Sequence, residues 1–267
     1  MILITETFTC RDTIQKRMKN CRGIVHMAAV SRVIWGEQQP EKCWQTNVIG
    51  TQNVLECAYL SLYQPWVIYA SSREVYDQQQ QFPVTESSPL QPLNIYARSK
   101  VVAEAQVQHY QSRGLKTAIL RFSSVYGRSY DHVDRVVPAF CRAAALGEPL
   151  RIEGAKSTFD FTHIDDVVEG ILKVIDQLER GYLLPPIHLT TGQPTTLEKL
   201  AQLACKDSQK QTPFIAALPR NFDVSTFYGD PALACEQLDW TPQTTIGTGV
   251  KELVTDFLKQ NNEVKER

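Results

Sequence analysis

Two residues four positions apart, Tyr96 and Lys100 in the stretch NIYARSK (94–100), have the types and spacing for proton transfer. On a helix, positions i and i+4 share a face. A phenol can take a proton from a substrate hydroxyl near neutrality only if it ionises well below its ordinary pKa of about 10. A lysine ammonium one turn away would supply the positive charge that favours the phenolate. Alone the pair carries little weight, because 10 tyrosines and 13 lysines in 267 residues give about half a Tyr-x-x-x-Lys match by chance. Its meaning depends on the elements that surround it.

Those elements alternate in type. GIVHMAA (23–29), WVIYASS (66–72) and TAILRFS (117–123) are short apolar runs that read as strands. Between them, PEKCWQTNVIGTQNVLECAYLSL (40–62) repeats Trp44, Val48, Leu55, Tyr59 and Leu62 along one helical face, and a second helix is predicted from Leu93 to Ser112. A Gln- and Pro-rich loop precedes that second helix. This order predicts a parallel sheet wrapped by helices, a doubly wound α/β core. Beyond about Tyr126 the elements shorten: a helix in RVVPAFCRAAAL, a strand in EPLRIEG, a helix in HIDDVVEGILKVIDQ and a strand in IHLTTG. A capping box from Thr195 to Glu198 predicts the start of a further helix. The expected division is residues 1–125 as the core carrying the Tyr-Lys pair, and 126–267 mainly as a smaller α/β lobe with some segments returning to the core.

Composition narrows the function classes. With 43% hydrophobic and 21% charged residues, and no run near the roughly 20 apolar residues of a membrane span, no membrane partner is expected. A net charge of −1 with dispersed basic residues gives no footprint for nucleic acid. The seven cysteines, at 10, 21, 43, 57, 141, 205 and 235, contain no Cys-x-x-Cys and no metal-ligand spacing with the five histidines. No metal site is expected, and the odd count favours free thiols in a reducing cytoplasm. The glycine pattern is more telling. Dinucleotide-binding α/β folds begin with a strand, a Gly-rich turn and a helix that together cradle a pyrophosphate. Here no glycine precedes Gly23, and neither Gly-x-Gly-x-x-Gly nor Gly-x-x-Gly-x-x-Gly occurs.

Taken in order, GIVHMAAVSRV, NVIGTQNVLECA, VIYASSREVYD, NIYARSK, LRFSSVYG, FDFTHIDDVVEGI and RNFDVSTFYGD with LDWTPQT cover nearly the whole chain. In these stretches the chain resembles the extended short-chain dehydrogenase/reductase superfamily, specifically its NAD-dependent nucleotide-sugar epimerases and dehydratases. The resemblance implies a Rossmann-type core, truncated at its N-terminus, and transient oxidation of a sugar at C4 with 4-epimerisation or 4,6-dehydration. It implies that Tyr96, Lys100 and Ser72 are the catalytic set, with Ser72 bonding the reacting oxygen. Glu74 falls where dehydratases of the family often carry an acid, although an exposed loop carboxylate is the plainer alternative. Cofactor contacts carried over are Met27, Ala28, Ala29, Asn47, Ser71, Tyr96, Lys100 and Phe122. Substrate contacts carried over are Ser31, Ser124 and the diphosphate-clamping Arg220.

The chain departs from the family's pattern at three positions. Phe159 stands where the resemblance implies a second phosphate-binding arginine, which leaves two alternatives, a substrate other than an ordinary nucleotide sugar or a charge supplied by Arg151 or Lys156; Arg73 replaces a small or acidic residue; Ser124 replaces an asparagine. Without the Gly-rich turn, NAD binding by these residues is expected to be weak or lost. Three readings follow: an enzyme whose recorded chain lacks its N-terminal part, a shortened non-catalytic paralogue that binds a ligand or partner, or one half of a split enzyme. The resemblance also implies a homodimer formed through the Tyr-Lys helix and its neighbour.

Overall fold

Alternation along the strands decides how the core is layered. The computed structural model describes residues 10–76, 79–132, 134–206, 208, 210–218 and 225–265. Its first half runs α1 (Arg11–Met18), β1 (Gly23–His26), α2 (Val33–Gln38), α3 (Pro40–Trp44), a π-helical turn (Gln45–Ile49), α4 (Gly50–Leu60), β2 (Trp66–Ser72), a 3₁₀ turn (Arg73–Tyr76), α5 (Ile95–Ser112) and β3 (Thr117–Phe122). β1, β2 and β3 pair in parallel, and β7 (Ile187–Leu189), from much later in the chain, adds a fourth parallel strand beside β3. On one face Val67, Tyr69 and Ile119 pack with Val54 and Leu55 of α4 and Ala103 and Val107 of α5. On the other, Ile68, Ala118 and Leu120 meet Val167, Ile171 and Val174 of α7 (Ile164–Glu179) together with Trp240. Helices thus cover both faces of a parallel sheet, which is why its strands read as nearly unbroken apolar runs.

The smaller lobe is built from β4 (Ser124–Tyr126), α6 (Val136–Leu146), β5 (Leu150–Glu153), β6 (Thr158–His163), β8 (Pro194–Thr196), α8 (Leu197–Lys206), β9 (Phe214–Ala217) and α10 (Ile246–Lys265). β6 lies parallel to β4 and antiparallel to β8, while β5 pairs with β9. The core of this lobe is apolar and rich in small residues, with Ala144, Ala145, Leu200, Ala201, Ala204, Val250 and Leu253 enclosed between α6, α8 and α10. α9 (Ala232–Leu238) and Trp240 return to the first sheet, and the indole Nε1 donates to the Asp166 carbonyl at 2.8 Å.

Two expectations shift. The helix predicted over 40–62 contains a π turn at Gln45–Ile49, which inserts one residue into the repeat. The buried stripe is therefore Val48, Thr51, Val54, Leu55 and Ala58, while Trp44 and Leu62 of the predicted face are exposed. The capping hydroxyl of α8 is Thr196, which accepts from Lys199 N at 3.1 Å, rather than Thr195. Thr195 is committed to the β6–β8 ladder opposite Phe159.

Candidate active site

Tyr96 and Lys100 are placed by the start of α5. Asn94, just before the helix, accepts from Ala97 N at 2.8 Å, and Glu37 at the end of α2 accepts from Ile95 N at 2.8 Å, so two of the helix's unpaired first-turn donors are satisfied. α2 presses closely on this turn: a Cβ on Gly36 would lie 3.2 Å from both the Tyr96 nitrogen and its Cβ, closer than most side chains tolerate. Ser99 donates to the Tyr96 carbonyl at 2.7 Å and receives a 2.9 Å bond from Asn47 in the π turn. Asn47 also accepts from Val30 N at 2.8 Å and donates to Val30 O at 3.1 Å. One side chain therefore links the loop after β1 to the helix that carries Tyr96.

β2 delivers the second half of the site. Its last residue, Ser72, lies beside Phe122 at the end of β3, and the Ser72 side chain is near enough to the Tyr96 phenol to act against the rise of its pKa. Ser72 and Phe122, together with the loop that follows His26, sit at the carboxyl ends of parallel strands, where open α/β sheets bind ligands. Lys100 Nζ donates to the Ala70 carbonyl at 2.7 Å and lies 5.8 Å from the centroid of the Tyr96 ring. Met27 is exposed, Ala28 and Ala29 are half-buried and Ser31 is exposed.

The electrostatics depart from the simple expectation of a lowered phenol. Burial pushes the Tyr96 hydroxyl up to about 12, with Glu74 adding to the rise and Ser72 and the Arg135 charge opposing it. Burial also lowers Lys100 to about 8, against the pull of Glu104 and Cys43. A buried lysine that titrates near 8 is still mostly cationic at neutral pH, and the phenol stays protonated.

Ser71 faces the other way from Ser72. Its hydroxyl donates to Glu104 Oε1 at 2.5 Å, and the same carboxylate takes Arg121 Nη2 at 2.7 Å and Nε at 3.0 Å. Arg121 also donates from Nη1 to the Tyr76 hydroxyl, which meets His188 Nε2 at 2.6 Å. This chain of buried polar groups beneath the site was not singled out from sequence. Its signal was present in TAILRF, where an arginine inside a buried strand demands an acid, and Glu104 is one turn beyond Lys100.

Glu74 is buried, salt-bridged from Oε1 to Arg73 Nη2 at 3.0 Å, and receives Asn94 Nδ2 at 3.3 Å. The Arg73 guanidinium carbon sits 4.6 Å above the Phe159 ring and 5.8 Å from that of Phe227. Ser124 lies in β4 opposite Phe161. Arg151 is spent on Glu153 at 3.0 Å on the surface, and Lys156 is exposed. Arg220 lies outside the described residues.

Comparison with known proteins gives one consistent answer. The model of the NAD dependent epimerase/dehydratase family matches residues 3–183. UDP-glucuronate 4-epimerase 5 of Arabidopsis thaliana is 28% identical over 88% of the chain, which spans 58% of that relative's own length. Among solved structures, UDP-glucose 4-epimerase of Thermotoga maritima with UDP-glucose superposes with a TM-score of 0.88 at 24% identity, covering 97% of this chain and 84% of that one. UDP-glucuronic acid 4-epimerase of Bacillus cereus, in complex with UDP-glucuronic acid and NAD, gives 0.88 at 21% identity over 97% and 81%. At these identities the superpositions establish the fold: the α/β architecture is of the Rossmann type.

Proposed function

The chain belongs to the NAD dependent epimerase/dehydratase family, and from that premise we propose that it serves as a 4-epimerase of a UDP-sugar. The observation that carries this reading is the Ser72–Tyr96 hydroxyl pair at the end of β2, with Lys100 one helical turn on. The names of the relatives, 4-epimerases of UDP-glucuronate and UDP-glucose, support the choice of epimerisation over elimination.

In this reading Ser72 Oγ orients the C4 hydroxyl of the sugar, and Tyr96 Oη, once its own proton has left to solvent, takes the hydroxyl proton and returns it to the same oxygen when the ketone has presented its other face. Ser72 and the charge of Arg135 oppose the burial that holds the phenol proton in place, and the Lys100 ammonium, 5.8 Å from the ring centroid, is the further cation available to a phenolate. NAD, when bound, supplies the acceptor and donor for the hydrogen on C4. The residues fit its nicotinamide end. Lys100 spends one of its three N–H donors on Ala70 and keeps two for ribose hydroxyls, and the small side chains of Ala28 and Ala29 permit close approach after β1. Asn47 holds the loop at Val30 in place, and Ser71 supports the strand end through Glu104. These 267 residues carry no Gly-rich turn for the pyrophosphate, so calorimetry on them is expected to give NAD an affinity weaker than micromolar.

The direct test is conversion of UDP-glucose or UDP-glucuronate with NAD added. Tyr96→Phe should lower turnover by about 10² to 10⁴, the usual worth of a positioned acid–base group, without moving the thermal midpoint. Turnover that survives the substitution would take the acid–base role from Tyr96, and absence of turnover in the wild-type chain would favour a ligand-binding protein.

A further inference from the structure

Lys100 and Glu104 stand one turn apart on α5, and both reach the end of β2. Lys100 Nζ donates to the Ala70 carbonyl at 2.7 Å, and Glu104 Oε1 accepts from the hydroxyl of the next residue, Ser71, at 2.5 Å. Two adjacent strand residues are thus gripped by successive turns of one helix, and the residue that follows them is Ser72. Glu104 is itself oriented from a second strand, by the two bonds from Arg121 at 2.7 and 3.0 Å. Both Lys100 and Glu104 are buried, so little water screens one charge from the other. The remaining groups facing the ammonium bring no such charge. The Tyr69 ring lies 4.8 Å from Nζ and the Tyr96 ring 5.8 Å, His26 of β1 is held neutral by burial, and burial raises the thiol of Cys43 in α3. Among the described residues that act on Lys100, Glu104 is the carboxylate.

An ion pair that merely fastens α5 to β3 needs no hydroxyl from β2. The Ser71 bond and the helix face shared with Lys100 turn this one towards the site. Burial works against a charged amine and brings Lys100 down to about 8, while the carboxylate one turn away opposes any further fall. We infer that Glu104 is a positioning residue for the reaction, which keeps Lys100 an ammonium ion against the Ala70 carbonyl and, through Ser71, fixes the strand end that carries Ser72. The inference rests on the 4-epimerase reading above and deepens it. Both services of Lys100 depend on its keeping the third proton: a neutral amine has no charge to offer a phenolate, and one N–H fewer for a ribose hydroxyl.

The experiment follows the Lys100 Cε signal against pH by nuclear magnetic resonance in the full chain labelled at lysine, the signal being assigned by its loss in Lys100→Met. In the wild-type chain its midpoint should lie at about 8. Glu104→Gln keeps the shape and can still accept from Ser71 but carries no charge, and should bring the midpoint to about 7 or below, a tenfold or larger loss of proton affinity. Glu104→Asp keeps the charge and should leave the midpoint at about 8. Where Glu104→Gln folds poorly because Arg121 is left buried without its partner, the double variant Glu104→Gln/Arg121→Met removes both charges together and should show the same fall. A midpoint unmoved in Glu104→Gln or in the double variant would reduce Glu104 to a structural partner of Arg121 and overturn the inference. Equal falls in Glu104→Gln and Glu104→Asp would overturn it as well. The titration is read without NAD or sugar, so its failure is told apart from failure of the 4-epimerase reading, which shows as absent turnover in the wild-type chain.

Discussion

Glu104 beneath the sheet and Asp160 in the smaller lobe are both buried carboxylates, yet their partners differ in kind. Glu104 is held by side chains, Ser71 and Arg121, in a chain that runs on to Tyr76 and His188. Asp160 is held mainly by backbone: it accepts from Thr191 N and Gly192 N at 2.8 Å each, with the Thr191 hydroxyl at 2.7 Å. Asp166 does likewise with Gln243 N and Thr244 N at 3.0 Å. Asp160 and Asp166 fasten loops to a strand and to a helix, while Glu104 gathers ionic and hydroxyl groups on the helix that carries Tyr96 and Lys100. A charge answered by another charge can be tuned by its neighbours, whereas a charge answered by amides is a joint.

The largest test of that contrast is Glu104→Ala. It leaves the Arg121 guanidinium buried without its carboxylate and should cost about 3–5 kcal/mol in urea unfolding. A cost near 1 kcal/mol would mean that the ionic chain is ornamental and that the two regions differ only in appearance. Next comes acidification. Burial holds His26 and His188 neutral by lowering both to about 3 from 6.5. Below pH 6.5 the unfolded chain binds protons that the folded one refuses, so stability should fall as pH drops from 6.5 towards 3, by up to about 1.4 kcal/mol per pH unit for each histidine. Asp160, which burial raises, works with the opposite sign and offsets part of the loss towards the acid end. Urea midpoints at pH 7, 6 and 5 should decline in that order. The smallest effect is Asn94→Ala, which removes the cap of α5 and should cost about 1 kcal/mol by thermal unfolding.

Much of this was legible in the chain before any coordinates. GIVH, WVIYASS and TAILRF became strands because a sheet covered on both faces needs continuous apolar runs, and HIDDVVEGILKVIDQ became α7 because its acidic first turn suits a helix start. The helix bearing Tyr96 was expected from residue 93 and begins at 95, where the Asn94 cap fixes it. What stayed hidden depended on pairing across long stretches of chain. Sequence showed an arginine missing at 159 and an unexpected one at 73, but stacking of Arg73 on Phe159 is a property of the folded lobe–sheet boundary. The rise of the Tyr96 pKa was equally invisible, since spacing to Lys100 says nothing of how deeply burial acts on the phenol.

The π turn at Gln45–Ile49 has a consequence for how this chain can change over time. One surplus residue sets the helix before it and the helix after it to different phases, so that α4 can face the core while Asn47 still reaches Val30 and Ser99. Losing that residue would give a more regular helix and turn its two halves by about 100° relative to each other. Apart from Asn47, substitutions along this segment leave that phase unchanged whereas a deletion does not, and a one-residue gap here should mark relatives that have given up the link between the first loop and the tyrosine.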